Sequence, residues 1–318
     1  MIDFASGAPV VGDLDVRWNH GSRLARRNTD PPIQVHAYDE HTLILRQNKA
    51  VHYEAPFLYL LFGNDRALLL DTGATPEAEL FPLRATVDRL VDEWLTRHPR
   101  DDYELVVVHS HGHGDHTAAD GQFADRPSTR VVPAEVDAVR EFFGLTDWPA
   151  QIVPFDLGGR ILEVTGIPGH HAASIAIVDP WSGFLLTGDT VLPGRLYVFD
   201  FPAFADSMRR LVDLAASRNV TWVMGCHVEM TGKPRRDYPI GAGYQPRERP
   251  LQFTVAQLRT ILDATESVSA KPGVHVFDDV VIYHGQPGKR TIRIQTARNL
   301  AYRAKCRVLG QFLRPTPA

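Results

Sequence analysis

The stretch Val106–His116 reads VVVHSHGHGDH, an apolar run that ends in four histidines and an aspartate. His111 and His113 stand two residues apart, so an extended backbone points both side chains to the same side. Asp115 and His116 follow directly. Because the end of a buried strand holds side chains at fixed distances, the stretch predicts a strand followed by a metal-binding loop. A metal site needs further ligands from elsewhere in the chain.

Three later segments have the form that this site requires. IPGHHAAS contains His170, FLLTGDT contains Asp189, and WVMGCHVEM contains His227. Each follows an apolar strand that ends in a loop marked by glycine. With the first stretch they give five histidines and two aspartates: His111, His113, His116, His170, His227, Asp115 and Asp189. Imidazole and carboxylate ligands without a thiolate suit Zn²⁺, with iron or manganese as alternatives, and seven ligands suffice for two ions.

Three nearby side chains are not expected to bind metal. His109 is predicted to be a core histidine with its hydrogen bonds satisfied. His171 competes with His170, but the Gly-His order favours His170 as the ligand. Cys226 precedes His227 at a strand end, so its side chain is expected to point away from the metal.

In this order, the motifs LLLDTG with Asp71, HGHGDH, PGHH, TGDT and GCH resemble those of the metallo-β-lactamase superfamily over residues 57–230. The resemblance implies an α/β fold, a four-layered αββα sandwich with the metals at one edge of the paired sheets. It assigns the ligands to two ions: His111, His113 and His170 to one, Asp115, His116 and His227 to the other, with Asp189 bridging them. Asp71 is implied to orient the ligand loop without binding metal.

The chain is predicted to have three parts. Residues 1–32 form an N-terminal arm, residues 33–231 the superfamily-like core, and residues 232–318 a C-terminal α/β extension packed on the core. The locally basic segment Arg17–Pro32 is expected to be a solvated arm or a subunit contact. In the extension, a strand is expected to begin at Thr291 and to lead into a final helix.

Composition narrows the functional classes. The formal charge of −4, from 34 basic and 38 acidic residues, gives no field that attracts nucleic acid, so no nucleic-acid partner is expected. Two cysteines suit a reducing compartment, and neither a secretory segment nor a span of about 20 apolar residues is visible. A cytoplasmic protein with a small-molecule substrate, no membrane partner and a possible homodimer is expected.

The leading functional hypothesis is a hydrolase with two divalent ions, zinc before iron or manganese, that acts on a small ester, lactone, thioester or amide. Two cations lower the pKa of a shared water and polarise the scissile bond, while Asp115 or Asp189 orients the water or carries its proton. The alternatives are a mononuclear iron sulfur dioxygenase of the same fold, a phosphodiesterase or nuclease, and a non-catalytic metal-binding module. Candidate substrate contacts are Arg195, Tyr197, Glu229, Arg235, Arg236, Tyr238 and Tyr244.

Overall fold

The computed structural model describes residues 1–312; the last six residues of the predicted C-terminal extension, 313–318, lie outside the described residues. One six-stranded sheet contains, in spatial order, β1 (Ile33–Asp39), β2 (Thr42–Gln47), β3 (Phe57–Phe62), β4 (Arg66–Leu70), β5 (Glu104–Val108) and β6 (Thr129–Val131). We call it the N-terminal sheet.

A second six-stranded sheet, the C-terminal sheet, has the spatial order β13, β12, β10, β9, β8, β7. In chain order its strands are β7 (Ile152–Asp156), β8 (Ile161–Gly166), β9 (Ile175–Asp179), β10 (Phe184–Gly188), β12 (Trp222–Gly225) and β13 (Gln252–Phe253). A small third sheet joins β11 (Arg195–Val198), β15 (Val281–His284) and β14 (Gly273–Val276). The helices are α1 (Leu83–Arg97), α2 (Gly114–Thr117), α3 (Val136–Phe143), α4 (Phe201–Ser217), α5 (Val255–Ser267) and α6 (Lys289–Phe312).

The packing of the two large sheets forms the centre of the fold. Successive strand residues point to opposite faces. In β3, Tyr59 and Leu61 therefore lie in a buried cluster shared with β9 and β10 of the C-terminal sheet. Leu58 and Leu60 face the other way and pack with the apolar face of α1.

The outer face of the C-terminal sheet is covered in the same manner. Met208 and Leu211 of α4 and Ile261 of α5 are buried in one cluster with Ala176 and Leu185 of the sheet. The layers are therefore helix, sheet, sheet, helix, and the predicted αββα sandwich is confirmed.

Strand direction brings the predicted ligand loops together. β4 pairs in parallel with β5, and β10 pairs in parallel with β12. β8 is antiparallel to β9, which is antiparallel to β10, so β8 runs in the same direction as β10. The loops that follow β4, β5, β8, β10 and β12 thus leave the two sheets at their carboxyl ends, which is where ligands bind in open α/β sheets.

The C-terminal extension completes the core's own layers. β13 pairs with β12, α5 packs on α4, and β15 pairs in parallel with β11. The strand predicted from Thr291 is wrong, because α6 runs from Lys289 through that position. Ile292 and Ile294 alternate with Thr291, Arg293 and Gln295, which is the period of a strand, but both isoleucines are half exposed on α6.

Part of the segment Arg17–Pro32 packs on the core, so the expectation of a fully solvated arm is wrong, while the alternative of a subunit contact stays a prediction. Trp18 is only 8% exposed, and its ring packs edge-on against Phe57 with centroids 4.9 Å apart. Farther along, Arg27 Nη1 donates to the carbonyl of Gly310 in α6 (2.8 Å). The Arg-rich composition of the arm predicted exposure and gave no sign of these two contacts. Among residues 1–312, no helix has the length and apolar character needed to span a bilayer.

Candidate metal centre

The predicted ligands come from four loops at one edge of the paired sheets. His111 and His113 follow β5, and the short helix α2 carries Asp115 and His116. His170, Asp189 and His227 follow β8, β10 and β12. Two of these positions depend on glycine: Gly169 has φ +132° and Gly188 has φ +53°, values that other residues rarely adopt.

Three histidines form what we call the first half-site. His111 Nε2 lies 2.9 Å from His113 Nδ1 and 3.2 Å from His170 Nε2. His170 Nε2 lies 3.0 Å from His113 Nδ1. Three ring nitrogens from two loops therefore point at one another, and their separations match three ligands around a single ion.

The second half-site consists of Asp115, His116 and His227. His227 Nε2 lies 3.3 Å from Asp115 Oδ2 and 3.3 Å from His116 Nε2. Asp189 lies between the two half-sites, because its Oδ1 is 3.4 Å from His227 Nε2 and its Oδ2 is 3.9 Å from His170 Nε2. The structure thus brings all seven predicted residues together in the predicted two groups.

Hydrogen bonds outside the cluster fix which ring nitrogen faces inward. His170 Nδ1 lies 2.7 Å from the carbonyl oxygen of Tyr197, and His227 Nδ1 lies 3.2 Å from that of Glu54. A carbonyl oxygen can only accept, so both Nδ1 atoms carry a hydrogen. In the neutral rings, each Nε2 then presents a lone pair to the cluster.

The same reasoning applies to His116 and His111, whose Nδ1 atoms contact Asp71 and Ser110. His116 Nδ1 donates to Asp71 Oδ2 (2.8 Å). Ser110 Oγ donates to that same Asp71 oxygen (2.8 Å), which leaves the hydroxyl oxygen to accept from His111 Nδ1 (3.1 Å). Both inward-facing Nε2 atoms are therefore lone pairs when the rings are neutral.

This donor set fits a pair of divalent cations. Four imidazole lone pairs and two carboxylates converge, and Asp189 Oδ1 is buried without a hydrogen-bond partner among the described residues. Converging lone pairs and anions are unfavourable unless protons or metal ions lie between them. The ligands contain nitrogen and oxygen and no thiolate, as catalytic zinc sites of this type do.

The two half-sites differ in their affinity for protons. Burial lowers the pKa of His170 to about 4 and the pKa of His111 well below its usual value. Burial also opposes protonation of His116 and His227. At His116, however, the carboxylates of Asp71 and Asp189 outweigh burial and raise the pKa well above its usual value. At His227, the carboxylates of Asp189 and Asp115 raise the pKa to about 9. Asp115 and Asp189 stay ionised, because their histidine neighbours outweigh burial and lower the pKa of both carboxyls.

Asp71 orients the ligand loop, as the sequence predicts, and reaches it partly through a residue that the sequence reasoning missed. Its Oδ1 accepts from the backbone N–H of Ser110 (2.7 Å), and its Oδ2 accepts from Ser110 and from His116. Asp71 has φ +70°, a strained value for a residue with a Cβ. The thiol of Cys226 also donates to Asp71 Oδ2, at an Sγ–Oδ2 distance of 3.2 Å. Ser110 sits inside the quoted histidine stretch, and its position between His109 and His111 was the available signal.

The bystander histidines are placed as expected. Both ring nitrogens of His109 face oxygen atoms, those of the Val132 carbonyl (3.1 Å) and Asp120 Oδ1 (2.8 Å). His171 Nδ1 accepts from the backbone N–H of Ala173 (3.2 Å) and belongs to neither half-site. The choice of His170 over His171 therefore agrees with the geometry.

The proposed role of Arg195 at the mouth of the site is wrong. Its guanidinium is 3% exposed and binds Glu229, Asp237 and the carbonyl of Tyr238. Tyr238 is buried as well, and its hydroxyl accepts from the N–H of Arg247. These groups form a buried polar network, because residues 232–250 fold back over the core.

Other side chains line the mouth. Phe199 is half exposed, with its ring centroid 6.0 Å from that of His170 and 6.3 Å from that of His113. Tyr53, which is also exposed, precedes Glu54, whose carbonyl accepts from His227 Nδ1. The carbonyl of Tyr197 contacts His170, and its ring packs on that of Tyr283 with centroids 4.8 Å apart. Sequence reasoning found Tyr197 and missed Phe199 and Tyr53, which have no motif.

Comparisons with known proteins agree with this geometry. A family model described as the metallo-beta-lactamase superfamily matches residues 55–227, more than half of the chain. A curated relative, hydroxyacylglutathione hydrolase from Anaeromyxobacter dehalogenans (strain 2CP-C), is 30% identical over 135 residues. That match covers 42% of this chain and 46% of the relative, so the chain spans about half the length of the curated relative it matches.

Solved structures resemble the described chain in fold. The metallo-beta-lactamase FIM-1 from Pseudomonas aeruginosa, in a mono-zinc form, superposes with a TM-score of 0.51 and 14% identity, covering 76% of this chain and 98% of that one. A metallo-beta-lactamase from Pontibacter korlensis gives a TM-score of 0.50 and 17% identity, covering 74% and 99%. At these identities the likeness concerns the fold alone.

Proposed function

The chain belongs to the metallo-beta-lactamase superfamily, and from this premise we propose that it is a hydrolase that uses two divalent metal ions to cleave a small ester, lactone, thioester or amide. The observation that carries the proposal is the pair of half-sites joined by Asp189. When bound there, two ions supply a water of lowered pKa and polarise the scissile bond.

The ligand residues divide the work between the half-sites. His111, His113 and His170 would hold one ion, and Asp115, His116 and His227 would hold the other, with Asp189 able to contribute to both. Asp71 keeps the His116 ring in the orientation in which Nε2 faces inward. Zinc is the first choice for the metal because the ligands are imidazoles and carboxylates, with iron or manganese as the alternatives.

Asp115 or Asp189 would orient the attacking water or carry its proton. The unpartnered Oδ1 of Asp189 is directed into the cluster, and Asp115 Oδ2 lies within 3.5 Å of two ligand nitrogens. Either carboxylate can orient a water through a hydrogen bond. During hydrolysis of a thioester, the bond from the acyl carbon to the water oxygen forms, the bond from carbon to sulfur breaks, and the departing thiolate takes a proton.

Thioesters rank first among the substrate classes. The curated relative is named for a hydroxyacylglutathione, in which an acyl group is attached to the thiol of glutathione. Phe199, Tyr53 and Tyr197 around the ligands provide apolar surfaces suited to a small organic substrate. The formal charge of −4 provides no overall field that attracts a polymeric phosphodiester.

A hydrolysis screen with metal quantification tests this proposal. The purified protein is assayed against thioesters, lactones, aryl esters, β-lactams and phosphodiesters beside His111→Ala and the bystander control His109→Gln. We expect two metal ions per chain, mainly zinc, and turnover that His111→Ala abolishes and His109→Gln preserves. Equal turnover by the wild type and His111→Ala would refute the site. One iron per chain with oxygen consumption would instead identify a sulfur dioxygenase.

A further inference from the structure

Two neighbouring cavities lie against α6 and share lining residues. The first, which we call the aromatic cavity, has a volume of about 300 Å³ and is lined by Tyr53, Tyr197 and Tyr283 together with one face of α6. Two of its lining residues are next to ligand contacts: the carbonyl of Tyr197 accepts from His170, and Tyr53 precedes Glu54, whose carbonyl accepts from His227. No charged residue lines it.

The second cavity, which we call the basic pocket, shares the lining residues Tyr53 and Gly241 with the first. Its volume is about 400 Å³. Four cationic side chains and no carboxylate line it: Arg23, Lys49, Arg303 and Arg307. The lining therefore changes from aromatic in the first cavity to cationic in the second.

The cations of the basic pocket lack strong anionic partners. Within residues 1–312, no carboxylate lies within 4.0 Å of the side chains of Arg23, Arg303 or Arg307. Lys49 has Glu248 at 3.8 Å, but that carboxylate is already bound by both terminal nitrogens of Arg46, at 2.6 and 2.7 Å. The pocket thus holds an excess of positive charge that an anion can neutralise.

The pocket is a built feature of the fold, because distant parts of the chain enclose it. Arg23 comes from the N-terminal arm and stacks over Tyr244 at 5.4 Å. The hydroxyl of Tyr302 in α6 donates to the carbonyl of Tyr244 (2.7 Å). The contact between Arg27 and Gly310 fastens the arm to the end of α6. Elsewhere on α6, Arg298 is paired with Asp237 at 2.6 Å, so the helix does not leave all its cations free.

We propose that the basic pocket binds a carboxylate or phosphate at the far end of the substrate, while the aromatic cavity holds its middle and the scissile thioester lies at the metal centre. This inference rests on the proposed hydrolase function and adds to it a substrate class: an elongated thioester with an anionic terminus. Arginine pairs recognise carboxylate and phosphate in this way, through several charge-assisted hydrogen bonds.

Three thioesters with the same acyl group test the pocket. Their thiols have similar length and end in a carboxylate, a phosphate or a neutral carboxamide. With the zinc-loaded full-length protein, we expect kcat/KM for an anionic substrate to exceed that for the carboxamide by about tenfold or more. The double variant Arg303→Gln, Arg307→Gln should reduce this ratio to near one by lowering kcat/KM for the anionic substrates. Which anion is preferred identifies the terminus.

The control is Arg290→Gln, Arg293→Gln, which removes the same charge from exposed positions of α6 that line neither cavity. It should retain the preference for the anionic substrates. Equal kcat/KM for all three thioesters in the wild-type protein would overturn the anion site while leaving the hydrolase function intact. Loss of the preference in the control as well would show a long-range charge effect and also overturn it.

Calorimetry separates the two proposals if no thioester is cleaved. Thioether analogues of the three compounds cannot be hydrolysed, and their binding is measured with the wild type and both double variants. Binding that requires the anionic terminus and is lost only with Arg303→Gln, Arg307→Gln supports the pocket even if the hydrolase proposal fails. Equal binding of charged and neutral analogues overturns it. So does tight binding of an RNA oligonucleotide without discrimination among the analogues.

Discussion

The two half-sites lie side by side at the same sheet edge, yet their surroundings shift histidine pKa values in opposite directions. The first half-site consists of three histidines, and burial keeps the pKa of His170 near 4 and that of His111 low. The second half-site contains Asp115 and has Asp71 behind it, and there the carboxylates outweigh burial and raise the pKa of His227 to about 9.

The difference shows how one loop can present two kinds of site. Without metal, the low pKa values of His111 and His170 keep these two rings neutral, so they can bind a cation without losing a proton. The histidines of the second half-site carry protons that neutralise the adjacent carboxylates. A metal ion must displace these protons, so affinity at the second half-site depends on pH more steeply than affinity at the first.

Asp189 belongs to both half-sites, and its removal should have the largest effect. Asp189→Ala takes away the carboxylate that approaches His116, His227 and His170. Because two-ion catalysis contributes several kcal/mol, hydrolysis should fall by about 10³-fold or more, with fewer than two metals per chain. Assays with metal analysis check this, with exposed Asp213→Ala as the control. Full activity with two ions in Asp189→Ala would show that the half-sites are not linked through this residue.

Asp71 supports the second half-site more directly than the first, and its replacement sharpens the contrast. Asp71→Asn keeps the size of the side chain but removes the charge that raises the pKa of His116. We expect metal affinity at the second half-site to fall by about 10–100-fold, and affinity at the first to change much less. Competition with a chelator measures both constants, and a denaturation curve identifies any loss of folded protein. Equal weakening at both half-sites would contradict the division.

His109 marks the limit of the metal centre, so the effect of replacing it should be smallest. His109→Gln retains a side chain able to hydrogen-bond to the carbonyl of Val132 or to Asp120. Metal content and kcat/KM should stay within about twofold of the wild type, while the free energy of unfolding falls by about 1 kcal/mol. Activity assays and the midpoint of denaturant unfolding measure these values. A lost metal ion in this variant would place His109 inside the first half-site.

Much of the fold and of the site was predictable because local signals and the final packing agree. The strands around β3 and β5 are short apolar runs bounded by turn residues, and the structure buries them between helices and a second sheet. The seven ligand positions follow strand ends, so parallel strand direction brings them to one edge. Spacing along the sequence therefore carried information about distance in space.

The errors occurred where local pattern and tertiary packing disagree. The Thr291–Gln295 segment alternates like a strand, but α6 includes it, and Ile292 and Ile294 lie on the helix surface. Arginine is a common substrate contact, but the buried side chain of Arg195 forms ion pairs with Glu229 and Asp237, which are distant in sequence. The N-terminal arm looked solvated because Trp18, its anchor, stands among charged residues. Such contacts depend on which surfaces meet, which a single sequence does not specify.

Proton release during metal binding tests the central claim most directly. Zinc is titrated into the metal-free protein at pH 7 in buffers of different ionisation enthalpy, and calorimetry gives the protons released per ion. Because His170 is neutral at pH 7 and His227 is protonated, the first equivalent should release almost none and the second about one or two. Lowering the pH should weaken mainly the second equivalent. A single binding equivalent, or equal proton release by both, would contradict two half-sites of opposite protonation.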